Sequence, residues 1–244
     1  MGMIKTKEEI KLLKKSAEIS NSCLPLIEAL LKKEKVKEKE IAKAIRRKIY
    51  SQGAKLAFQT IVACGKRAAK IHPKPKATNR MISGLGYIDF GASYKGYKTD
   101  VTIPFIKGKI RKREEKMVKA VMKAYKLALK SIKVGLPCFQ LFEKVDNFLR
   151  KQGLRMQHSL GHGVGLKIHE LPTIGIPKEK LRKLSKKNKK KLERLKEIRF
   201  QENMVFTIEP AVYIKGIGGC RIENDVLLTR KGPKLLTYAK LIKI

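Results

Sequence analysis

The sequence predicts an α+β domain in which antiparallel strand pairs are covered on one face by helices. Apolar residues recur at helical spacing over residues 7–52 and 113–151, and short β-branched runs come in pairs joined by glycine-containing turns. The order is helices, strand, hairpin, helices, loop and hairpin, which does not fit a doubly wound parallel sheet. We interpret residues 1–244 as one domain because no internal linker divides them.

Four segments have the apolar spacing of helices. Residues 7–33 predict one or two helices interrupted near Pro25, because proline cannot continue a helix interior. Residues 38–52 repeat the spacing and are followed by a glycine, a common helix stop. Residues 113–132 and 139–151 predict a second pair of helices further along the chain.

The first hairpin is predicted over residues 87–105, after a single strand at 58–65. With a two-residue Lys-Gly turn, Asp89 lies opposite Thr102. Asp100 is two residues from Thr102, so both carboxylates point to the same face of the hairpin. Two such anions among apolar strand residues repel each other unless a cation lies between them.

The second hairpin is predicted over residues 204–214 and 220–229. Glu209 and Glu223 are equidistant from the glycine at its turn, so they lie directly opposite each other on one face. A last short strand is predicted near residues 235–238.

Three of the four histidines lie close together in the stretch HSLGHGVGLKIHELP, as His158, His162 and His169. The i, i+4 spacing of the first two resembles half of a zinc-protease helix, but HExxH is absent and three glycines argue against a helix. A glycine-flanked strand or loop allows close approach of the backbone to a ligand. The stretch therefore predicts a site, with the role of each histidine open.

Two acidic hairpins and this stretch together provide two aspartates, two glutamates and at least one imidazole. A single strand carboxylate is usually solvated, but four inside apolar strands predict a common site. A carboxylate-rich set with an imidazole suits a pair of divalent ions bridged by water.

Five motifs follow one another along the chain: TIVACG, IDFGASYKGYKTDVT, HSLGHGVGLKIHELP, FTIEPAVYI and GIGGCRIENDVLLT. In these motifs the chain resembles the pita-bread metallopeptidases, which include methionine aminopeptidases, Xaa-Pro aminopeptidases and prolidases. The resemblance covers nearly the whole chain and implies the pita-bread fold, with an antiparallel sheet, pseudo-twofold halves and covering helices.

The resemblance implies that two divalent metal ions are bound by Asp89, Asp100, His162, Glu209 and Glu223. Asp100 and Glu223 would bridge both ions. Carboxylate-rich ligands favour Mn²⁺ or Co²⁺, with Fe²⁺ or Zn²⁺ as alternatives.

The resemblance also implies an exopeptidase that hydrolyses the N-terminal peptide bond of peptides. Glu209 is the candidate general base and proton donor. His72 and His169 would line the substrate site and donate hydrogen bonds to the scissile carbonyl and the tetrahedral intermediate.

Three features are similar to the Xaa-Pro branch of this family. TIVACGKRAAKIHPKP resembles its strand followed by a histidine-proline segment, His158 stands four residues before His162, and Arg221 stands two residues before Glu223. We therefore expect His158 and Arg221 to contribute to substrate binding in an Xaa-Pro aminopeptidase or dipeptidase.

Two features are more similar to methionine aminopeptidases, which remove the initiator Met from nascent chains. The catalytic region begins at once rather than after a separate N-terminal domain, and Ile103 stands where Xaa-Pro enzymes often have arginine. A third hypothesis is a non-catalytic pita-bread protein that contacts RNA or the ribosome. A monomer and a homodimer both remain open.

The net charge of +37, from 58 Lys and Arg against 21 Asp and Glu, favours contact with nucleic acid, ribosomes or anionic surfaces. The alternative is a lysine-rich source proteome, because the lysines are spread along the chain without a recognisable nucleic-acid-binding module. No run is apolar and long enough for a membrane helix or a signal peptide, and the four cysteines are scattered without a CxxC pair. We expect reduced thiols and a cytoplasmic protein.

A basic segment at residues 178–200 lengthens the gap between His169 and Glu209 beyond what the family usually has. One hypothesis is a helix that binds ribosomal RNA through phosphate contacts. The other, which we favour, is a solvated surface insert, because charge runs are usually solvated faces. The leucines between its basic residues are Leu181, Leu184, Leu192 and Leu195.

Overall fold

Two long hairpins, one from each half of the chain, meet at their midpoints. The computed structural model describes residues 2–73, 78, 80–182 and 185–244. At the junction the Thr102 N–H donates to Glu223 O at 3.3 Å, and the Glu223 N–H donates to Thr102 O at 3.1 Å. This pairing brings the acidic residues of both hairpins to one place.

Three helices precede the first hairpin: α1 (Lys7–Asn21), α2 (Leu24–Lys32) and α3 (Glu38–Tyr50). The predicted interruption separates α1 from α2, and Pro25 lies in the first turn of α2, where a missing N–H leaves no helical hydrogen bond unmade. A capping box starts α1: Thr6 Oγ1 accepts from the Glu9 N–H at 3.2 Å, and the Glu9 carboxylate accepts from the Thr6 N–H at 2.7 Å.

The second pair of helices lies where the apolar spacing predicts it. These helices are α4 (Lys112–Ser131) and α5 (Cys138–Arg150), each displaced by one residue from its prediction. Val121 and Ala124 of α4 are buried in the main core with Leu141 and Val145 of α5. The apolar faces of α4 and α5 therefore pack into the same core as the strands.

The first hairpin has the predicted register. Its strands are β3 (Gly84–Phe90), β4 (Ala92–Tyr94), β5 (Tyr97–Lys98) and β6 (Val101–Lys107), with β1 (Lys55–Leu56) beside β4 and β2 (Ile61–Cys64) beside β3. Tyr94 pairs with Tyr97, and Asp89 lies opposite Thr102. No bulge displaces the acids from their common face.

Each strand of this hairpin is divided in the middle, whereas the sequence predicted two continuous strands. At the division a Cβ on Gly91 would lie 1.9 Å from Thr99 O, so only glycine fits this close approach. The Thr99 hydroxyl instead bonds Ser20 Oγ of α1 at 2.8 Å and accepts from the Ala92 N–H at 3.0 Å. Contacts with α1 thus replace part of the ladder.

The second hairpin repeats this arrangement. Its strands are β9 (Val205–Ile208), β10 (Ala211–Ile214), β11 (Gly218–Arg221) and β12 (Asn224–Thr229), and the sheet β13-β12-β9-β7-β8 adds β7 (His162–Gly163), β8 (Glu170–Thr173) and β13 (Gly232–Leu235). The pairs flanking the division keep one register, so Glu209 falls opposite Glu223 as predicted. The ladder breaks there because Pro210 has no N–H and the Glu209 N–H donates to Leu160 O at 2.8 Å.

The prediction of a strand near residues 235–238 is wrong beyond Leu235. The chain turns there because Thr237 Oγ1 accepts from the Asp225 N–H at 2.8 Å and the Ala239 N–H donates to Asn224 Oδ1 at 2.6 Å. The chain then adds β14 (Ile242–Lys243), parallel to β6, which the sequence did not predict.

The basic segment forms two short helices, α6 (Lys178–Leu181) and α7 (Lys186–Lys196). Leu192 is buried, whereas Leu181 and Leu195 are partly buried; Leu184 lies outside the described residues. An apolar attachment with a basic exterior fits both the RNA and the surface-insert hypotheses. None of the described helices combines the length and apolarity that a membrane crossing requires.

An ion pair ties the segment before α1 to β8. Lys5 Nζ lies 2.6 Å from Glu170 Oε2, with the Lys5 side chain fully buried and 12% of the Glu170 side chain exposed. The Lys5 N–H donates to Asn203 O at 2.9 Å, and Glu170 Oε1 accepts from the Lys167 N–H at 2.9 Å. The pair therefore holds the strand that follows His169.

We expect Lys5→Met to lower the free energy of unfolding by about 3 kcal/mol, because it leaves a largely buried carboxylate without its cation. The double variant K5M/E170M should recover most of this loss, since neither charge is then unpaired. Urea unfolding of both variants measures the difference. Equal stability of K5M and the unsubstituted protein would contradict the structural role of the pair.

Candidate metal centre and substrate cavity

A cavity of about 580 Å³ opens where the two hairpins meet. Its walls include apolar side chains such as Phe58, Ile61 and Ile71. Every residue that the sequence analysis proposed for the site also lines it: His72, Asp89, Asp100, His158, His162, His169, Glu209, Arg221 and Glu223. Residues separated by up to about 150 positions in the chain therefore line one cavity.

Asp100, His162 and Glu223 form the tightest group of potential metal ligands. One ligand atom from each lies within 4.8 Å of the others, and all three side chains are buried. Glu223 Oε2 accepts from Thr102 Oγ1 at 2.6 Å, but Glu223 Oε1 and Asp89 Oδ1 have no hydrogen-bond partner in the described part of the chain. Burying a carboxylate oxygen without a partner costs free energy, and a cation bound between these acids would remove that cost.

The pKa values of the acids reflect the same cost of burying several carboxylates together. Burial raises the pKa of Asp100 well above its ordinary value, and the charge of Glu223 raises it further. Burial, then Glu223, raises the pKa of Glu209 in the same way. Burial and the neighbouring Asp89 raise the pKa of Glu223 to about 7. Burial also raises the pKa of Asp89, and the Arg221 guanidinium opposes that rise.

His162 presents an unprotonated nitrogen to the acids. Its Nδ1 lies 3.1 Å from Gly163 O, and because a carbonyl only accepts, Nδ1 carries the proton and Nε2 carries the lone pair. Burial, then the neighbouring His169, lowers the pKa of His162 to about 3. The neutral ring lies against the His169 ring, with centroids 4.2 Å apart.

Arg221 is the buried cation of the site. Its Nη2 donates to Asp89 Oδ2, its Nε to Thr102 Oγ1 at 3.0 Å and its Nη1 to Tyr213 OH at 2.7 Å. The guanidinium carbon lies 4.7 Å from the centroid of the Tyr87 ring. These contacts fix the orientation of the guanidinium, and its ion pair is with Asp89.

His158 is linked to Arg221 through Tyr213. Its Nδ1–H donates to Ser159 O at 2.7 Å, so its Nε2 accepts from the Tyr213 hydroxyl at 3.1 Å. Burial, then the charge of Arg221, lowers the pKa of His158 to about 3. With both ring nitrogens bonded inside the protein, His158 offers a bound molecule the apolar face of a fixed ring.

His72 and His169 differ from His158 in having free ring nitrogens. Within the described part of the chain neither ring makes a hydrogen bond, and both side chains are exposed at the edge of the cavity. Burial lowers the pKa of His72, with Arg221 as the next cause, and burial lowers the pKa of His169. Both are therefore neutral imidazoles that can donate an N–H to a bound molecule.

Sequence reasoning missed Tyr213 and Thr102 as parts of the site. The Tyr213 hydroxyl joins His158 to Arg221, and the Thr102 hydroxyl joins Arg221 to Glu223. The sequence did contain a signal for both residues, because side chains alternate between the two faces of a strand. This alternation places Tyr213 on the same hairpin face as Arg221, and the hairpin register places Thr102 opposite Asp89. The bonds themselves depend on the packing of one hairpin against the other.

The donor set and its spacing fit divalent ions. His162 Nε2 lies 3.7 Å from Asp100 Oδ2 and 3.5 Å from Glu209 Oε1, which is too long for a strong hydrogen bond. Ligand atoms that share an ion about 2.1 Å away lie at most about 4.2 Å apart. The unpartnered oxygens of Asp89 and Glu223 add two further donors at the same place.

Comparison with known proteins gives a consistent family assignment. The model of metallopeptidase family M24 matches residues 11–230. The Xaa-Pro dipeptidase of Pyrococcus horikoshii is 34% identical over 241 residues, which cover 97% of this chain and 63% of that protein.

Solved structures with the same fold include the prolidase of Pyrococcus horikoshii (TM-score 0.84, 33% identity, 98% of this chain and 64% of that one). The X-Pro aminopeptidase of Thermotoga maritima gives a TM-score of 0.84 at 32% identity, over 99% of this chain and 65% of that one. The chain thus spans less than two thirds of the length of these relatives.

In the absence of divalent ions, we expect the free energy of unfolding to fall between about pH 4.5 and pH 7. Unfolded Glu223 loses its proton near its ordinary pKa of 4.5, whereas the folded protein keeps it until about pH 7. The folded state therefore binds more protons across this window, and its stability falls by up to about 1.4 kcal/mol per pH unit for each such group.

Chemical unfolding at several pH values in chelator measures this slope. The variant Glu223→Gln should flatten it and be more stable than the unsubstituted protein at pH 7, because one repelling charge is gone. Saturating Mn²⁺ should also flatten the slope by favouring the ionised carboxylates. A slope unaffected by both E223Q and Mn²⁺ would contradict this assignment.

Proposed function

This chain belongs to metallopeptidase family M24, and from that premise we propose that it is a metal-dependent exopeptidase that cleaves the N-terminal bond of Xaa-Pro peptides. The observation that carries the proposal is the buried group of Asp100, His162 and Glu223 in a peptide-sized cavity. The Xaa-Pro names of relatives similar over 97% of the chain support the substrate class.

Five residues would hold two divalent ions in this proposal: Asp89, Asp100, His162, Glu209 and Glu223. Asp100 and Glu223 would serve both ions, and both belong to the tightest group of potential ligands. Mn²⁺ or Co²⁺ is the expected activating ion, with Fe²⁺ or Zn²⁺ as alternatives. Bound ions of this kind activate a water at neutral pH and polarise the scissile carbonyl.

Glu209 accepts the proton of the attacking water and later delivers it to the leaving amine. Burial and Glu223 give its carboxylate a raised pKa, which suits a group that must both take and return a proton. Its two oxygens face different histidines: Oε1 lies 3.5 Å from His162 Nε2, and Oε2 lies 3.6 Å from His158 Nδ1. Burial lowers the pKa of both rings to about 3, so neither competes for the proton.

His169 and His72 orient the substrate carbonyl. Each is a neutral imidazole with an N–H free to donate to an oxygen that gains negative charge during the reaction. Contact with the His162 ring fixes His169 close to the metal ligands.

The cavity wall supports a preference for proline. The apolar side chains of Phe58, Ile61, Ile71 and Leu171 offer a surface that a pyrrolidine ring can pack against. The fixed ring of His158 adds to this surface, and Arg221 holds that ring in place through Tyr213. These contacts account for the roles of His158 and Arg221 in substrate binding.

Parallel assays with Ala-Pro, Ala-Pro-Ala and Met-Ala-Ser test the specificity. We expect the Mn²⁺-loaded protein to release alanine from the proline peptides and to leave Met-Ala-Ser intact. Preferential release of methionine would assign the chain to methionine aminopeptidases instead. Stoichiometric metal without turnover of any peptide would favour the binding-protein hypothesis.

A second experiment tests the ligand assignment. Asp100→Asn keeps the shape of the side chain but removes the charge, and it should lower kcat by more than the roughly 100-fold that loss of an outer contact costs. Calorimetric titration with Mn²⁺ should show weaker or fewer sites, while circular dichroism stays unchanged. Glu115→Gln on the exposed face of α4 is the matched control and should change neither. Full activity of D100N would overturn the assignment.

A further inference from the structure

A second groove, of about 430 Å³, adjoins the substrate cavity along α3. We call it the α3 groove, and its lining residues are Lys39, Ala42, Lys43, Arg46, Tyr50, Leu56, Phe58, Gln59 and Thr60. Phe58 lines both this groove and the substrate cavity. The α3 groove is therefore the neighbouring space for a peptide that is longer than the cavity.

The cationic wall of the groove is one stripe of α3. Lys39, Lys43 and Arg46 are spaced by four and three residues, so they project from the same side of the helix, and all three are exposed. Among the residues that the structure describes, none of the three forms an ion pair, although ion pairs occur elsewhere on the surface. Their charges are therefore available to a ligand.

The two acidic side chains of α3 form hydrogen bonds with other residues. Glu38 points inward, where its carboxylate bonds Arg67 at 2.8 Å, and the Glu40 carboxylate accepts from the Lys37 N–H at 2.8 Å. Neither neutralises the stripe. Arg46 in turn lies over the Tyr50 ring, 5.8 Å from its centroid, which orients the guanidinium beside the groove.

The floor of the groove contains an unsatisfied donor. Thr60 is 97% buried and lines the groove, and its hydroxyl has no hydrogen-bond partner among the described residues. Buried hydroxyls normally have a partner, so the Thr60 hydroxyl has an unused capacity to form a hydrogen bond. Ala42, Leu56 and Phe58 provide the apolar part of the floor.

We propose that the α3 groove binds acidic side chains downstream of the cleaved bond in longer peptide substrates. Lys39 and Arg46 are separated by roughly 10 Å along the helix axis. The side chains of residues i and i+2 of an extended peptide point the same way and lie roughly 7 Å apart. Two acidic residues separated by one other residue therefore fit within the length of the stripe.

A peptide fits this groove better than a nucleic acid does, because the groove borders, at Phe58, the cavity that contains the proposed catalytic residues. Selection by downstream charge rests on the proposed peptidase function, whereas binding of the acidic segment does not. The two are therefore tested by separate measurements.

The turnover measurement compares Ala-Pro-Ala-Glu-Ala-Glu with Ala-Pro-Ala-Gln-Ala-Gln. We expect the unsubstituted protein to favour the acidic peptide in kcat/KM by about tenfold at low salt, since each exposed ion pair contributes up to about fivefold. The variant K43E/R46E should abolish or reverse this preference and leave cleavage of the glutamine peptide unchanged. K123E/K126E makes the same charge change on exposed positions of α4 and should keep the preference.

The binding measurement uses the acidic peptide with a fluorophore at its C-terminus and the protein in chelator. Tighter binding of the acidic peptide, lost in K43E/R46E and kept in K123E/K126E, supports the groove even if no peptide is cleaved, an outcome in which only the proposed function fails. The groove assignment is overturned if binding shows no preference for acid, or if both variants lose it equally. It is also overturned if a single-stranded RNA binds more tightly than the peptide and depends on the same two residues.

Discussion

The backbone pairing of Thr102 with Glu223 forces the carboxylates of two hairpins into one buried cavity. These carboxylates repel one another, and the hydrogen bonds of the surrounding residues partly offset that repulsion. Arg221 is directed at Asp89, the Thr102 hydroxyl donates to Glu223, and one oxygen of each acid has no partner among the described residues. One guanidinium does not balance this group of anions, and divalent cations, as in the proposed chemistry, would do so.

The divided strands are related to the same convergence of buried carboxylates. A continuous ladder would satisfy the backbone at Glu209 and Asp100, but these residues bond elsewhere: the Glu209 N–H donates to Leu160 O and the Asp100 N–H to the Asp225 carboxylate at 3.2 Å. The ladder of each hairpin is therefore interrupted where its acids lie, and these two N–H groups bond other acceptors. The backbone remains hydrogen-bonded while the carboxylates converge.

Charge is distributed oppositely inside and outside the molecule. The chain carries a net charge of +37, yet its central cavity is dominated by carboxylates. A positive surface attracts anionic molecules at long range, which is an effect on encounter and not on fold. Selection requires cations at a particular place, and the unpaired stripe of Lys39, Lys43 and Arg46 beside the cavity provides such a place. The basic helices α6 and α7 contribute to the general field, and their contact with RNA remains a prediction.

The sequence by itself determined the helices, the register of both hairpins and the face on which Asp89, Asp100, Glu209 and Glu223 lie. These features depend on local periodicity, because side chains alternate along a strand and recur along a helix whatever surrounds them. Only the tertiary structure decided where the strands divide and how Tyr213 and Thr102 connect His158, Arg221 and Glu223. It also decided that Phe58 lines both the substrate cavity and the α3 groove. Thr102 and Arg221 are separated by 119 positions, and no local pattern specifies a bond between them. Such contacts arise from the packing of distant segments, which alternation along one strand does not encode.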